Sequence, residues 1–323
     1  MLVKNVKSAV LKKPSFEKVI VVTKLTQLDA LLARFNTAAQ ARFYLEHTGE
    51  DFDPIEIAHQ QYYRIVDQVR GLIPRGVKSI LLERDLLPQY QFEENDLVIV
   101  IGPDGLVVNA AKYLSNQPIL AVNPEPQSFD GILLPYNIFT IKKGLDNALF
   151  GEIKVKNIAM AEAHLADGQQ LLAFNDLFVG ANSHVSARYE IRMGQQHEFH
   201  SSSGVIVSTG AGSTGWLQSV YAGASGIVQA LGGQVVPPSN HGRVAWDSNY
   251  LVYAVREPFP SKHSNTNMVY GVITPDTPLH ISSQMTGNGV IFSDGVESDY
   301  LSFNTGASAT IRVADKKTTL IMK

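Results

Sequence analysis

The 323-residue chain contains no cysteine. That excludes disulfides, zinc–thiolate sites and thiol nucleophiles at once, and it suits a reducing, cytoplasmic setting. No apolar run approaches the ~20 residues that a membrane-spanning helix needs. The formal net charge is −3, from 27 Lys and Arg against 30 Asp and Glu. A chain so nearly neutral has no electrostatic footprint for nucleic acid. Internal repeats and low-complexity segments are lacking too. The nine histidines are scattered without ligand spacing, so no metal site is expected. The opening stretch "MLVKNVKSAVLKKPSF" carries four lysines before its first acid, yet it has neither the apolar core of a signal peptide nor the arginine and serine of a transit peptide. It reads as a plain basic lead-in.

What is present is long enough for two cores. "KVIVVT", "SILLER", "DLVIVIG" and "PILAVN" are short strand-like runs. Between them lie segments of helical period: "LTQLDALLARFNTAAQARFYLEHTG", "DPIEIAHQQYYRIVDQVRGLI" and "LVVNAAKYLSN". Strands alternating with helices predict a Rossmann-like α/β domain with a parallel sheet, over residues 1–145. Beyond that the pattern becomes strand after strand. "EIKVKNIAMAEAHLADGQQLLAFNDLFVG" folds about Asp167–Gly168, a strong hairpin signal. "RYEIRM", "GVIVST", "NYLVYAV", "LHISS", "GVIFSDGVES" and "SATIRVA" follow, with one helix after Thr214. The expected second domain, 146–306, is mostly antiparallel β, and 307–323 is a tail with a path open back to the first domain.

Two glycine-rich stretches carry the chemistry. In "VIVSTGAGSTGWLQS", Gly210, Gly212 and Gly215 spell G-x-G-x-x-G, the dinucleotide fingerprint of dehydrogenases. That fingerprint requires an acid ~20 residues on, at the end of the next strand. Between Glu198 and Asp247 there is no Asp or Glu, and "GGQVVPPSN" reads as a loop. A P-loop fails because Trp216, not Lys, follows Gly215, and a nucleophile elbow fails because Ala211 stands two before Ser213. A strand running into small and hydroxyl residues remains, which is either a plain Gly/Ser turn or a place of close backbone approach by a ligand. The other stretch, "VIVIGPDGLVVNAA", ends a buried strand in Gly102, Pro103, Asp104 and Gly105. Pro-Asp-Gly is ordinary turn chemistry. It is equally a carboxylate at the carboxyl end of a parallel strand, before a helix whose bare N–H groups suit phosphate.

Together these pieces resemble the NAD kinase family. "GPDGLVVNAA" is similar to that family's Gly-Gly-Asp-Gly-Thr loop, "FNDLFVG" to its Asn-Glu strand, "GVIVSTGAGSTGW" to its Ser-Thr-Pro-Thr-Gly-Ser-Thr-Ala-Tyr stretch, and "FSDGVESDYLSFNTGASATIRV" to its late Asp-Gly strand pair, all in the family order. "VNPEPQSFDGILLPY" lacks the usual Gly-Phe-Leu, which looks more like the divergent branch that includes mitochondrial-type NAD kinases. The resemblance implies a two-domain kinase that transfers the γ-phosphoryl group of ATP, brought with Mg²⁺, to the 2′-hydroxyl of the adenosine ribose of NAD, giving NADP. It implies Asp104 as the catalytic carboxylate, Gly102, Gly105, Thr209, Gly210, Gly212 and Ser213 toward the ATP phosphates, and Asn175, Asp176, Ser203, Ala211, Thr214, Gly215, Trp216 and Ser219 toward NAD. Asn175 and Asp176 also read as two polar residues of a half-exposed strand, and Trp216 as a core aromatic. A homodimer or homotetramer is implied, with small nucleotides as partners and neither membrane nor nucleic acid. Departures from the pattern include Pro103 for the second Gly, Leu106 for Thr, Ser203 for Asp, Asp176 for Glu and Trp216 for Tyr. The alternatives are a kinase of the same superfamily acting on another sugar or lipid hydroxyl, a nucleotide-binding sensor without turnover, and an NAD-dependent dehydrogenase.

Overall fold

A computed structural model describes residues 9–11, 16–128, 130–236 and 242–323. Most of the basic lead-in and the second half of "GGQVVPPSN" lie outside the described residues. The chain divides into two compact units, one of residues 1–156 with 319–323 and one of residues 157–318. The division falls at 156/157, beyond the expected 145, because strand β7 below carries the chain out of the first unit. The part of the tail that belongs to the first unit is only 319–323, not the whole of 307–323.

The first unit contains β1 (Ala9–Leu11), β2 (Lys18–Thr23), α1 (Gln27–Phe35), α2 (Ala38–Thr48), α3 (Asp53–Gly71), β3 (Lys78–Glu83), β4 (Asp96–Ile101), α4 (Asp104–Tyr113), β5 (Ile119–Asn123), β6 (Tyr136–Asn137), α5 (Ile141–Phe150) and the start of β7 (Ile153–Leu165). Its parallel strands lie in the order β3-β2-β4-β5, so the winding reverses between β2 and β4. All six residues of β4 are buried, as expected of a strand covered on both faces. Val19, Val21, Leu97, Ile99 and Ile101 share one core with Tyr62, Val66 and Val69 of α3 and Leu145 of α5. The single long helix expected over residues 25–49 is two. Asn36 closes α1 in the left-handed region at φ 62° and donates its N–H to Leu32. Thr37 then caps α2 by accepting from Gln40 N–H.

The second unit contains the rest of β7 and β8 (Gln170–Ala173), β9 (Asp176–Ala181), β10 (Ala187–Met193), β11 (Gln196–Ser202), β12 (Val205–Ser208), α6 (Trp216–Ala230), β13 (Leu251–Val255), β14 (Tyr270–Ile273), β15 (Leu279–Ser283), β16 (Gly289–Ser293), β17 (Val296–Ser302) and most of β18 (Ser308–Met322). One antiparallel layer runs β11-β10-β15-β18, and the other runs β14-β13-β12-β9-β16-β17. Alternate residues meet between the layers: Leu177, Val179, Val205, Val207, Leu251, Tyr253 and Ile291 from one side, Tyr189, Ile191, Ile281 and Ile311 from the other. The intervening residues of β9, β12, β13 and β16 face away from that core, and α6 covers part of this outer face through Leu217 on Val252 and Ala254.

Candidate functional site

In the first unit, strand β4 delivers the chain to Gly102 at its carboxyl end, beside the point where strand order reverses. Ligands of open α/β sheets collect at such a point. A Cβ on Gly102 would meet Leu106 Cδ2 at 2.8 Å, so close packing on the helix accounts for this glycine. Leu106, where the family has a hydroxyl, is buried. Pro103 is the extended residue before the helix (φ −72°, ψ 167°), where its missing N–H costs nothing. Asp104 is therefore no loop aspartate. It opens the first turn of α4, where the unpaired N–H groups of the helix favour a negative charge. Its Oδ1 accepts a hydrogen bond from Leu133 N–H at 2.7 Å, while Oδ2 has no hydrogen-bond partner among the described residues. Gly105 is exposed, and nothing lies within 4 Å of where its Cβ would be. Backbone is thus open to solvent next to a half-buried carboxylate fixed by one oxygen.

In the second unit the candidate group forms around Asp294. Asp294 and Gly295, at φ 56° and φ 70°, make the tight turn between β16 and β17, which needs positive φ at both positions. That turn aims the Asp294 carboxylate at the start of β9. Oδ2 accepts from Phe174 N–H at 3.0 Å, and Oδ1 from Asn175 N–H at 2.6 Å and Asp176 N–H at 3.2 Å. Asp294 N–H donates to Asp176 O at 2.9 Å. The local backbone is locked, and the side chains of Asn175 and Asp176 keep their polar atoms free of partners among the described residues. Asn175 lies just before the strand begins, so it escapes the alternation that would send neighbouring side chains to opposite faces. Asp176 is 8% exposed, and its pKa is pushed up to about 7, first by burial and then by the charge of Asp294.

This raised pKa has a testable sign. An unfolded aspartate titrates near 3.9, so between about pH 4 and pH 7 the folded protein binds a proton that the unfolded chain has lost. The contribution of Asp176 to stability is greatest below pH 4, falls as pH rises to about 7, and is level beyond. Asp176→Asn is expected to melt higher than the parent at pH 8, by on the order of 2–4 kcal/mol, with the gap closing toward pH 5. Melting curves of both proteins across this range check it. A gap that does not change with pH would remove Asp176 as the titrating group.

The glycine- and hydroxyl-rich stretch divides. Thr209 Oγ1 donates to Phe174 O at 2.6 Å and accepts from Gly212 N–H at 3.2 Å. Ser213 Oγ donates to Gly210 O at 2.8 Å and accepts from Val244 N–H at 3.0 Å. A Cβ on Gly210 would lie 2.0 Å from Ala245 O, and one on Gly212 2.0 Å from Asn175 O. All four residues are buried. The expected phosphate contacts of Thr209, Gly210, Gly212 and Ser213 therefore have no exposed group to make them here. These residues fasten the turn to strand β9 and to residues 244–245 instead. Beyond them the chain emerges: Ala211 is half-buried, and Thr214, Gly215 and Ser219 are exposed, with Ser219 Oγ bonded back to Trp216 O. Trp216, half-buried, is stacked on Phe178 with ring centroids 5.8 Å apart. Ser203 is exposed beside β12. The antiparallel pairing of β12 with β9 and β13 also leaves no βαβ unit for a dehydrogenase fingerprint.

Sequence reasoning left out Leu133, Asp294 and Phe178. The Ser-Asp-Gly of "FSDGVES" was the available signal for Asp294; nothing in "GILLPY" marks Leu133 as the partner of Asp104. No group of three or more His, Asp or Glu side chains suited to a metal ion occurs among the described residues. No helix among them is long and apolar enough to cross a membrane.

No protein-family model matches the chain. It is 28% identical over 203 residues to a probable NADH kinase of Oryza sativa subsp. japonica, covering 55% of this chain and 56% of that protein. It is 32% identical over 152 residues to an NAD kinase of Buchnera aphidicola, covering 44% and 50% respectively. A third relative is an NAD kinase of Heliobacterium modesticaldum, 28% identical over 200 residues, covering 56% and 64%. The chain thus matches between about half and two thirds of the length of these curated relatives. Among solved structures it is similar in fold to an NAD kinase from Archaeoglobus fulgidus in complex with ATP, with a TM-score of 0.54, 16% identity, and coverage of 94% of this chain and 92% of that one. A yeast NADH kinase complexed with NADH gives 0.55 and 14%, covering 98% and 89%.

Proposed function

We propose that this chain, which resembles NAD kinases in sequence and in fold, transfers the γ-phosphoryl group of ATP to the 2′-hydroxyl of the adenosine ribose of NAD or NADH. The observation that carries the reading is the setting of Asp104: a helix-opening carboxylate at a strand-order reversal, with one oxygen held by Leu133 and the other unengaged. In this reading Oδ2 accepts the hydrogen bond of the attacking hydroxyl and takes its proton late in the transfer. A weak base suffices for that in a loose phosphoryl-transfer transition state. The open backbone at Gly105 and the first N–H groups of α4 are assigned to phosphate. Asn175 and Asp176 are assigned to the ribose hydroxyls, since Asp294 fixes their backbone and leaves their side chains free. Mg²⁺ is assigned to the nucleotide, held mainly by its phosphates.

A cytoplasmic setting fits the chain that lacks cysteine. Self-association, as a homodimer or homotetramer, is supported by the apolar residues that α6 and the segment after it turn to solvent, Ile227 at 64% and Leu231 at 83% exposure. Light scattering at micromolar concentration reads it directly, and a monomeric mass rejects it.

The test of the activity is incubation with MgATP and either NAD or NADH, followed by mass spectrometry for an added phosphate. A melting-temperature scan with each ligand alone goes beside it, and a dinucleotide at 100 times its Kd adds about 2.7 kcal/mol. Phosphorylated dinucleotide is the expected product. Stabilisation by NAD or NADH without product would leave a sensor, and stabilisation by ATP alone would point to another hydroxyl acceptor.

A further inference from the structure

A triphosphate held beside Asp104 meets a carboxylate of its own sign, and the adjoining backbone offers it little. Gly102 N–H donates to Val122 O at 3.3 Å, and Leu106 N–H returns to Pro103 O at 2.9 Å. Pro103 has no N–H. The N–H groups of Asp104 and Gly105 remain, while the hydroxyls of Thr209 and Ser213 are spent on the fold. A cation is needed, and the strands on either side of β4 decide where one can come from. On one side β5 ends in Asn123, with Pro124 and Glu125 after it. On the other, β2 ends in Thr23 and Lys24 follows. Val22 pairs with Val100, so the register carries Lys24 level with Gly102, one strand spacing of about 4.8 Å away. Lys24 is half-buried and has no carboxylate within 4 Å among the described residues. Its ammonium lies over the Tyr62 ring, 5.9 Å from the centroid.

Resting on the kinase reading above, we propose that the Lys24 ammonium binds the phosphates of ATP beside Asp104, and that the Tyr62 hydroxyl is the positioning group that holds Lys24 there. Tyr62 is buried, and from α3 its hydroxyl reaches both strand ends. It accepts from Lys24 N–H at 3.0 Å and donates to Ile101 O at 2.9 Å. One oxygen thus stands in for a ladder hydrogen bond at the end of the β2–β4 pairing. It ties the residue that carries the cation to the residue three before Asp104. The turn that follows is fastened separately. Asp29 Oδ2 accepts from Thr26 N–H at 2.7 Å and from Tyr63 OH at 2.9 Å, and Thr26 Oγ1 lies 2.7 Å from His59 Nδ1. Helix α3 therefore fixes the backbone on both sides of Leu25, while the ammonium keeps its donors for a ligand. A compact ammonium on a flexible stem binds phosphate as a point charge and needs no single fork geometry.

The experiment uses the full chain. Calorimetry measures MgATP binding without dinucleotide, and steady-state kinetics give kcat and the KM of MgATP and of the dinucleotide. Lys24→Met keeps the backbone N–H on Tyr62 and removes the charge. It is expected to weaken MgATP binding about 10- to 100-fold, as the loss of a charged hydrogen bond does, with the dinucleotide KM within twofold. Lys24→Arg recovers most of that loss. Tyr62→Phe keeps the ring and removes the hydroxyl, and MgATP binding is expected to weaken about 3- to 10-fold. A Tyr62 that served packing alone would lower the melting point and leave MgATP affinity unchanged. Added to Lys24→Met, Tyr62→Phe should cost no further affinity although the melting point falls again. Lys24→Met and Lys24→Arg decide the matter if Tyr62→Phe does not fold. MgATP affinity within twofold of the parent in Lys24→Met overturns the inference and spares the kinase reading. An undiminished further loss in the double variant overturns the positioning role of Tyr62. A parent that binds MgATP through Lys24 yet phosphorylates no dinucleotide overturns the kinase reading and keeps the phosphate site. Failure of the parent to bind MgATP overturns both.

Discussion

Asp104→Asn is expected to lower turnover by about 10²–10⁴-fold while leaving the protein folded. The loss amounts to roughly 3–5 kcal/mol of transition-state stabilisation. The geometry separates this outcome from a structural one. Asn keeps an oxygen where Oδ1 accepts the Leu133 N–H, so the contact that ties the helix start to residue 133 survives. What disappears is the negative charge on the first turn of α4, where such a charge contributes about 0.3–1 kcal/mol, and the basicity of the unengaged oxygen. Dinucleotide affinity should change far less than rate. The measurement is turnover and thermal midpoint on one preparation. Wild-type turnover would withdraw the catalytic role from Asp104. A melting point that collapses along with the rate would make it a packing residue.

The largest effect on stability is expected at Asp294, which touches no substrate in this reading. Asp294→Ala deprives the N–H groups of Phe174, Asn175 and Asp176 of their acceptor at a place where Phe174 and Asp176 are buried. Each buried group left unsatisfied costs about 1–3 kcal/mol. The left-handed backbone at φ 56° adds about 1 kcal/mol for alanine. A loss on the order of 3–5 kcal/mol in the second unit follows, read by denaturant unfolding. Asp294→Asn, which tolerates the left-handed region and keeps one acceptor oxygen, should lose less than half of that. Asp294→Gly relieves the backbone but not the missing acceptor and should fall near Ala. Removing the charge also takes away one of the two influences that raise the Asp176 pKa, so that group should titrate closer to the ordinary carboxylate range. Unchanged stability in Asp294→Ala would show that the start of β9 does not depend on this carboxylate.

The α/β first half and the β second half are legible in the chain, because buried parallel strands need continuous apolar runs and sandwich strands need alternation. Strand β4 and the outward Asp176 and Phe178 against inward Leu177 and Val179 follow directly from such patterns. Two strands escape this reading for the same reason. In β11 the buried positions are Glu198, His200 and Ser202, polar residues where alternation calls for apolar ones. In β14 Tyr270 and Val272 are exposed at a sheet edge. The break between α1 and α2 was written in "FNTAA", an Asn that tolerates the left-handed region followed by a Thr that caps, but helical periodicity runs straight across it.

By itself the sequence determined the fold class, the Gly102–Gly105 segment that follows strand β4 and the Asn175–Asp176 pair, because these depend on neighbours within a few residues. Only the tertiary structure decided which of the candidate groups are spent on the fold. Thr209 and Ser213 look in sequence like ligand hydroxyls, yet both are buried and doubly bonded to backbone. Asp294 lies 118 residues from Asp176 and fixes it, and Leu133 lies 29 from Asp104. A hydroxyl or carboxylate carries no mark of its partner in the chain. Whether it remains free for a ligand depends on which distant N–H or C=O the fold brings within 3 Å of it.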